Sequence, residues 1–466
     1  MSQTISNARR RAFLQRSAAL AATGVAAPMA LNLSAIGRLA AAEASDYKAL
    51  VCVFLYGAND HYNTIVSYDP EDHRRYVQAR PGLAYGRGRL EQTVLRSTES
   101  PQLQGREFAF APELGNLHGL WNEGHVNTLL NVGPLLRPTT KAEYLNGAPI
   151  PPKIFSHNDQ QSVWQSLASE GATSGWGGKL GDAVLDGAGG NLFSAVSVAG
   201  DALFLSGDST SQYRVTPRSP SGSIRLAATR TAMFGSRAVP ETMRRLMTED
   251  SENWHLMARE LQRTTRRSIE ANEQLEAALT SAPALEVSLG TSRLGAQLDL
   301  VARMIAARES LGVRRQIFFV GIGGFDTHDN LREDHPPLLR SIDESLAGFY
   351  RATETLGVAN QVTAFTASDF GRTLSANGDG TDHGWGSHHL VVGGAVNGKR
   401  FTGRPPALGN GGSDDVGRGR LLPTTSIEQL AATLGKWFGA GAGELADILP
   451  QLPEFGAADL GFLRQT

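Results

Sequence analysis

Near-continuous apolar runs alternate along the chain with segments of helical periodicity. The runs occupy residues 49–57, 125–133, 192–198, 315–323, 361–368 and 389–396. Runs of this length are typical of strands that are buried on both faces of a sheet. Several helical segments end at a glycine just before the next run, as helix C-termini often do. The alternation predicts an α/β fold with a mostly parallel central sheet and helices on both faces.

Residues 212–285 interrupt this alternation with a long, polar stretch of helical pattern, which includes MARELQRTTRRSIEANEQLEAAL. We interpret it as a helical insertion that lies outside the sheet rather than as a separate domain. No repeat of fixed period occurs. The sequence therefore predicts a single α/β domain over residues 45–466.

The first 44 residues have the composition of an export signal. Arg10 and Arg11 precede Phe13, Leu14 and a weakly hydrophobic stretch, and AAAEAS offers a cleavage site of the A-x-A type near Ala44. This pattern is typical of a twin-arginine signal peptide and predicts a periplasmic or secreted protein. The alternative is an N-terminal membrane anchor, although the apolar stretch of about 17 residues is short for a span. No later stretch reaches the ~20 apolar residues of a transmembrane helix, so no stable span is expected after cleavage.

Charge and cysteine content exclude some classes of function. The net charge is −2, and residues 1–44 contain five arginines and one acid, so the remainder is mildly acidic. A nucleic-acid-binding surface would normally carry a basic excess, so no nucleic-acid partner is expected. The single cysteine, Cys52, excludes an intrachain disulfide and is expected to be buried in a strand.

Polar clusters follow three of the predicted strands. Asp60 follows the first run, Asp326 and His328 follow the run 315–323, and Asp369 and Arg372 follow the run 361–368. Ligand sites in parallel sheets form at the carboxyl ends of the strands. We therefore expect these clusters to meet at one edge of the sheet.

A dense run, TDHGWGSHH, occupies residues 381–389 and contains four further candidate ligands: Asp382, His383, His388 and His389. Carboxylates and imidazoles together suit a divalent ion, and Zn, Mn, Fe and Ca are not distinguished by the sequence. Adjacent residues of a strand point to opposite faces, so His388 and His389 cannot both join one site. We place His388 in the site and His389 in the sheet. The predicted metal ligands are Asp60, Asp326, His328, Asp369, Asp382, His383 and His388.

Each of these side chains also has a structural alternative. Asp60 follows a strand and is equally explained as a helix N-cap, and Asp326 as the capping residue of a turn. Ser156 in FSHNDQQSVWQS is the candidate nucleophile, because a hydroxyl at a helix N-terminus lies where anions bind. Its alternative is a simple N-cap serine. Arg372 is the candidate anion-binding residue, or else contacts a carbonyl at the sheet edge.

Four segments together resemble a known family: FLYGANDHYNTIVSYD, FSHNDQQSVWQS, GGFDTHDNL and TASDFGRTLSANGDGTDHGWGSHHLVVGGAV. The resemblance is to the exported bacterial proteins called domain of unknown function 1501, in the alkaline phosphatase/sulfatase superfamily. It implies an alkaline phosphatase-like fold with metal ligands at strand ends and a nucleophile that opens a helix. By this resemblance, Asp60 is the carboxylate of the first strand, and Asp326 with His328 the ligand pair in mid-chain. Asp369 resembles the aspartate of the superfamily's S-D-H-G motif, and a later histidine is expected among His383, His388 and His389.

Two departures from the superfamily pattern concern the number of metal ions. Phe370 stands where the hydrolases have a ligating histidine, and Asp326 and His328 are spaced more closely than their counterparts. A single metal, or a site rebuilt with Asp382 and His383, therefore fits better than a complete two-metal site.

The leading hypothesis is an exported, metal-dependent hydrolase-like protein that acts on a small phosphate, sulfate or related anionic ester. The ion would polarise the ester oxygen and activate Ser156 or a water molecule. The alternative is a non-catalytic binding or assembly protein on the same fold with an incomplete metal site, which Phe370 favours. The sequence neither indicates nor excludes a protein partner.

Overall fold

The central strands form where the sequence is richest in apolar residues. The computed structural model describes residues 47–98, 100–185, 191–217, 236, 238–249 and 255–464. The predicted signal peptide, residues 1–44, and part of the predicted insertion lie outside these described residues. The described residues from Lys48 onward form one compact unit.

Thirteen strands occur within the described residues. They are β1 (Lys48–Tyr56), β2 (Ile65–Ser67), β3 (Phe108–Phe110), β4 (Val126–Gly133), β5 (Ala195–Ser197), β6 (Tyr213–Arg214), β7 (Arg315–Gly323), β8 (Val362–Ser368), β9 (Arg372–Ala376), β10 (Thr381–His383), β11 (Ser387–Gly393), β12 (Arg400–Thr402) and β13 (Thr425–Ser426). Each of the six predicted apolar runs contains one strand of the central sheet, with end points that differ by a few residues.

The central sheet has nine strands in the order β12-β4-β11-β8-β1-β7-β5-β6, with β13 beside β4. β1 pairs in parallel with β7 and β8, and β5 pairs in parallel with β6 and β7. β11 runs antiparallel to both of its neighbours, β4 and β8. The prediction of a mostly parallel sheet is therefore confirmed, and β11 is the strand that runs against the rest.

Thirteen α-helices occur within the described residues. They are α1 (Pro70–Ala79), α2 (Arg87–Leu90), α3 (Gly115–Glu123), α4 (Lys141–Leu145), α5 (His157–Ser166), α6 (Trp176–Val184), α7 (Ala238–Thr248), α8 (Leu256–Ser281), α9 (Arg293–Ala306), α10 (Arg308–Leu311), α11 (Leu331–Thr355), α12 (Ile427–Phe438) and α13 (Ala442–Ile448). Local signals define several ends. Ser426 and Gln429 form a capping box at the start of α12, and Gly124 ends α3 in the left-handed conformation.

Helices cover both faces of the sheet, as predicted. Leu50, Cys52 and Phe54 of β1 alternate onto one face, where they share a core with residues of α5, α6, α12 and α13. The intervening Val51 and Val53 are fully buried on the opposite face, and α3, α9 and α11 contact the sheet or one another. Cys52 is a buried free thiol, as the sequence predicts.

The described part of the predicted insertion includes β6 near its start and the helices α7 and α8. These two helices contact each other, and α8 also contacts α9 and α10. The predicted start at residue 212 is too early, because β6 pairs with β5 and belongs to the central sheet. Within the described ranges, no helix combines the length and apolarity that a bilayer span requires.

Candidate metal centre

The candidate site lies at the edge of the sheet where β1, β7 and β8 end. Because β11 is antiparallel to β8, the segment that precedes β11 also lies at this edge. That segment forms a two-stranded ribbon of β9 and β10, which ends at His383. Strand direction therefore brings Asp326, His328, Asp369 and His383 together although they come from separate parts of the chain.

Four side chains converge at one point of this edge. Nε2 of His383 lies 3.1 Å from Nε2 of His157 and 2.9 Å from Nε2 of His328. Oδ1 of Asp326 lies 3.2 Å from Nε2 of His328 and 3.3 Å from Nε2 of His383, and its Oδ2 lies 3.4 Å from Nε2 of His157. The ligand atoms of His157, Asp326 and His383 all lie within 4.8 Å of one another.

These spacings match those around a tetrahedral metal ion. Bonds of 2.0–2.1 Å to imidazole nitrogen at tetrahedral angles place neighbouring ligand atoms about 3.3 Å apart. Three imidazole nitrogens and one carboxylate, all turned toward a common point, form a donor set that divalent ions favour. The residues present therefore fit a bound divalent ion.

The second nitrogen of each imidazole faces an oxygen atom. Nδ1 of His157 lies 2.6 Å from Oδ2 of Asp369, and Nδ1 of His383 lies 2.8 Å from the carbonyl oxygen of Phe155. Nδ1 of His328 lies 3.6 Å from Oδ1 of Asp382. Such contacts fix the ring orientation and tautomer of metal-ligating histidines. All three rings thus have Nε2 directed at the common point.

Arg372 holds the carboxylate of Asp326. The guanidinium is fully buried, donates from Nη1 to Oδ1 of Asp326 at 2.7 Å, and also donates to Thr381. Burial raises the pKa of Asp326, but the hydrogen bond and positive charge of Arg372 outweigh it and leave that pKa below its ordinary value. Asp326 is therefore ionised at neutral pH, as a ligand must be.

Close backbone approach at the site requires glycine at two positions. Gly57, directly after β1, has φ of +105°, and a Cβ there would lie 2.6 Å from the amide nitrogen of Asp326. A Cβ at Gly384 would lie 2.6 Å from the carbonyl oxygen of Gly371. A side chain at position 57 would therefore displace the loop that carries Asp326, and one at position 384 would displace the segment that carries His383.

Asp60 and His388, both predicted as ligands, make other contacts. The Asp60 carboxylate forms a fully buried ion pair with Arg80, with Nη1 of Arg80 2.6 Å from Oδ2. His388 is buried, its Nδ1 accepts from the backbone amide of Asn131 at 3.0 Å, and its ring packs edge-on against His61. Burial lowers the pKa of His388 to about 4, so the imidazole is neutral. The structure places neither residue in the four-residue cluster.

Asp369 and Asp382 lie one layer behind the cluster. Asp369 is fully buried and accepts from His157, from Gln161 and from the amide of Gly57. Asp382 contacts His328 and Arg418. Each supports an imidazole instead of pointing at the common point.

Ser156 and His389 lie outside the four-residue cluster. Ser156 is the N-cap residue of α5, and its hydroxyl donates to Oδ2 of Asp159 at 2.8 Å. His389 is buried beside Trp164 within the sheet core, as predicted for the histidine that enters the sheet.

His157 was not predicted, although it contributes to the cluster. It is the first residue of α5 and directly follows Ser156 in the segment FSHNDQQ. The proline-rich turn before the helix places both residues at a helix N-terminus near the sheet edge. A histidine beside the candidate nucleophile was the available signal for a ligand here.

Comparison with known families identifies the chain. The family described as "Protein of unknown function (DUF1501)" matches residues 47–446. The chain belongs to this family. No curated protein matches the sequence.

Several solved structures share weak similarity with the chain. Ps i-CgsB in complex with k-i-k-neocarrahexaose has a TM-score of 0.37 and 9% identity, over 89% of this chain and 77% of that one. The PsFucS1 sulfatase from Pseudoalteromonas sp. has a TM-score of 0.35 and 11% identity, over 93% and 76%. The phosphonate monoester hydrolase SpPMH from Silicibacter pomeroyi has a TM-score of 0.33 and 9% identity, over 85% and 74%. Likenesses this distant say nothing about the chemistry of this family member.

Proposed function

We propose that the protein is an exported, divalent-metal-dependent hydrolase that acts on a phosphate, sulfate or related anionic ester. The observation that supports this most directly is the convergence of His157, His328, His383 and Asp326 at one point of the sheet edge. The point is open to solvent, since the side chains of Asp326 and His328 are 45% and 40% exposed. Four protein ligands would fill a tetrahedral shell, so an ion that acts on substrate here would either accept a fifth ligand or release one of the four side chains, and the exposed side of the cluster is where substrate would reach it.

The donor set narrows the choice of ion. Calcium takes six to eight oxygen ligands, and magnesium prefers oxygen ligands and retained water. Three imidazoles with one carboxylate instead favour zinc, manganese, iron or a similar transition metal. We therefore remove calcium from the ions that the sequence left open.

Phe370 favours a single ion. Its side chain is fully buried, and its ring centroid lies 4.8 Å from those of both His157 and His383. Asp369, the neighbouring carboxylate, is already engaged by His157, Gln161 and Gly57. An apolar ring and a fully engaged carboxylate provide no second set of ligands.

When bound, the ion supplies Lewis-acid polarisation of an ester oxygen. The chain's own residues provide the rest. Asp369 and the carbonyl of Phe155 fix the orientations of the His157 and His383 imidazoles, Asp382 places a negative charge 3.6 Å from Nδ1 of His328, and Arg372 keeps Asp326 ionised and in place. Arg372 is thereby a positioning residue rather than an anion-binding one, because its guanidinium is buried and engaged.

Water is the proposed nucleophile in place of Ser156. The Ser156 hydroxyl donates to Asp159, and this hydrogen bond lowers the pKa of Asp159 below its ordinary value. A more acidic carboxylate is a weaker general base, so it activates the hydroxyl poorly. The oxygen of water would bond to phosphorus or sulfur, the bond from that atom to the ester oxygen would break, and the leaving alkoxide would take up the proton that the water loses.

The test is metal analysis of protein purified without chelator, followed by assay on 4-nitrophenyl phosphate, bis(4-nitrophenyl) phosphate and 4-nitrophenyl sulfate. We expect about one equivalent of a transition metal per chain and turnover of at least one ester that chelation abolishes and metal restores. Protein without metal and without turnover would overturn the proposal. That outcome would instead support a non-catalytic binding protein, the alternative that Phe370 raised.

A further inference from the structure

We propose that Arg418, on the loop that it shares with Arg420, binds a second anionic group of the substrate, one that is not cleaved. The inference rests on the proposed function, because it assigns the remote part of the same substrate. It makes the substrate a polyanion: an ester that carries at least one additional sulfate, phosphate or carboxylate. These two arginines belong to the segment VGRGR, residues 416–420.

The loop that carries them is firmly held. The buried carboxylate of Asp415 accepts from the amides of Gly417 and Gly419 through Oδ1, both at 2.7 Å, and from the amide of Gly411 through Oδ2 at 2.6 Å. The carbonyl of Gly419 accepts from the hydroxyl of Tyr62 at 3.0 Å. A loop fixed by this many bonds presents its side chains in a defined direction, as a binding site requires.

The backbone at Arg418 is one that favours glycine. Arg418 has φ of +59°, between Gly417 at +122° and Gly419 at +74°. A left-handed conformation is unfavourable for a residue that has a side chain, and such strain concentrates at functional sites. A glycine at position 418 would adopt this conformation without strain. We therefore attribute the presence of arginine here to the contacts that its side chain makes.

Both guanidiniums border the metal cluster. Nη1 of Arg418 lies 2.6 Å from Oδ2 of Asp382, whose Oδ1 faces His328. Nε of Arg420 donates to the carbonyl oxygen of His383 at 2.9 Å, and its guanidinium lies over the ring of Phe155. Arg418 is 52% exposed at its side chain, so a ligand can reach it from solvent.

The position of Arg418 identifies which part of the substrate it would contact. Asp382 and His328 stand between Arg418 and the common point of the cluster, so an anion on Arg418 is a different group from the one at the ion. Planar guanidiniums bind sulfate, phosphate and carboxylate through paired hydrogen bonds. Within the described contacts, Arg418 uses only Nη1, which leaves Nε and Nη2 for such a ligand.

Direct binding tests the assignment without relying on turnover. Calorimetry on the protein as purified would compare benzene-1,4-disulfonate with benzenesulfonate, two rigid anions that are poor chelators. We expect the disulfonate to bind more tightly, and Arg418→Ala to weaken it about 10-fold or more, the usual value of a charge-assisted hydrogen bond. The matched control is Arg351→Ala. Arg351 lies in α11, is partly exposed, and pairs with Glu123 instead of with a residue of the cluster. Metal content should be the same in all variants.

A second variant separates binding from folding. Arg418→Gly suits the left-handed backbone, so we expect an unfolding temperature no lower than that of the wild type together with weakened disulfonate binding. Unchanged disulfonate binding in both Arg418 variants would overturn the inference even if the protein holds metal and cleaves esters. Arg418-dependent binding in a protein without metal or turnover would instead leave it standing while the hydrolase proposal fails.

Discussion

The Asp369 carboxylate holds the His157 imidazole, with Oδ2 of Asp369 2.6 Å from Nδ1 of His157. This contact joins the end of β8 to the first residue of α5, two elements far apart in sequence. The hydrogen bond to Asp369 raises the pKa of His157, although burial opposes it. Because Nδ1 is engaged, Nε2 is the nitrogen left for a metal. Asp369, which the sequence predicts as a metal ligand, thus orients His157, which lies in the cluster.

Replacement of Asp369 by asparagine should therefore weaken metal binding without removing a ligand. The change removes the negative charge that fixes the His157 ring, and losses of this kind typically cost 10–100-fold in metal affinity. Competition with a fluorescent chelator measures the affinity. Asp343→Asn is the control, since Asp343 is another buried aspartate and accepts from the amides of Asn116 and Leu117. Equal metal affinity in Asp369→Asn and wild type would show that the contact does not position a ligand.

Removal of a cluster imidazole should have the larger effect. His383→Ala deletes the nitrogen that lies close to His157, His328 and Asp326, so we expect metal to be lost or its affinity to fall by more than the 10–100-fold of an orienting residue. His389→Ala, six residues along, should keep its metal and lose roughly 1–3 kcal/mol of stability, because its imidazole is buried in the sheet core. Metal analysis and denaturant unfolding of both variants decide between these roles. A full metal complement in His383→Ala would contradict the assignment.

Asp60 offers a test of the opposite kind. Its ion pair with Arg80 is fully buried, and Arg80 also donates to Asn63 and to the carbonyls of Thr373 and Leu374. Asp60→Asn leaves an unpaired buried cation, a change that typically costs 3–5 kcal/mol. We expect a large fall in the free energy of unfolding, with metal stoichiometry unchanged in the folded fraction. If Asp60→Asn lost its metal but kept the stability of wild type, Asp60 would be a metal ligand, as the sequence predicts.

Strand content and the site edge could be predicted from the sequence because they depend on local patterns. Apolar runs identify buried strands, and polar residues directly after them, such as Asp326 and His328, mark the carboxyl edge. The direction of β11 could not be read in this way, since a buried run has the same pattern in parallel and antiparallel sheets. That direction is what brings His383 to the edge where β7 and β8 end.

The sequence does not show which of the candidate residues would bind the ion and which would support a ligand. Asp60, Asp369 and Asp382 all follow or approach strand ends, yet each contacts a different neighbour: Arg80, His157 and His328. Those partners are between 20 and 212 residues away, so only the folded chain pairs them. His157 is absent from the predicted ligands because its one local signal is its position beside Ser156, and the side chains that it meets, Asp369 and His383, are distant in sequence.

The export signal stays a prediction, because residues 1–44 lie outside the described part of the chain. Replacement of Arg10 and Arg11 by lysine should leave the precursor in the cytoplasm, since the arginine pair is the recognised element of a twin-arginine signal. Fractionation and immunoblotting measure the distribution. Replacement of Arg9 by lysine, just outside the pair, is the control. Normal amounts of mature protein in the periplasm of the double variant would rule out this route.

Glu428 provides a pH-dependent prediction away from the metal cluster. It is 4% exposed near the start of α12, its Oε2 has no hydrogen-bond partner among the described residues, and burial raises its pKa from 4.5 to about 7. When folding raises the pKa of a carboxyl group, its protonated form stabilises the folded state. This contribution is complete at pH values below the pKa of the same group in the unfolded chain. That contribution is lost as pH rises through the folded pKa. Between pH 4.5 and pH 7, wild type should lose about 3 kcal/mol relative to a variant that cannot ionise.

Glu428→Gln is that variant, and it should equal or exceed the stability of wild type above pH 7 because its neutral amide carries no burial penalty for charge. The quantity to measure is the difference in unfolding free energy between the two proteins from pH 5 to pH 8. A difference is needed because buried histidines act in the opposite direction. Burial lowers the pKa of His335 to about 4, so the folded protein loses stability as pH falls below 6.5 and protonation of this buried imidazole is increasingly favoured in the unfolded chain. Glu286→Gln, at an exposed position, should follow wild type throughout. A difference between wild type and Glu428→Gln that does not change with pH would show that Glu428 is not protonated in the folded protein.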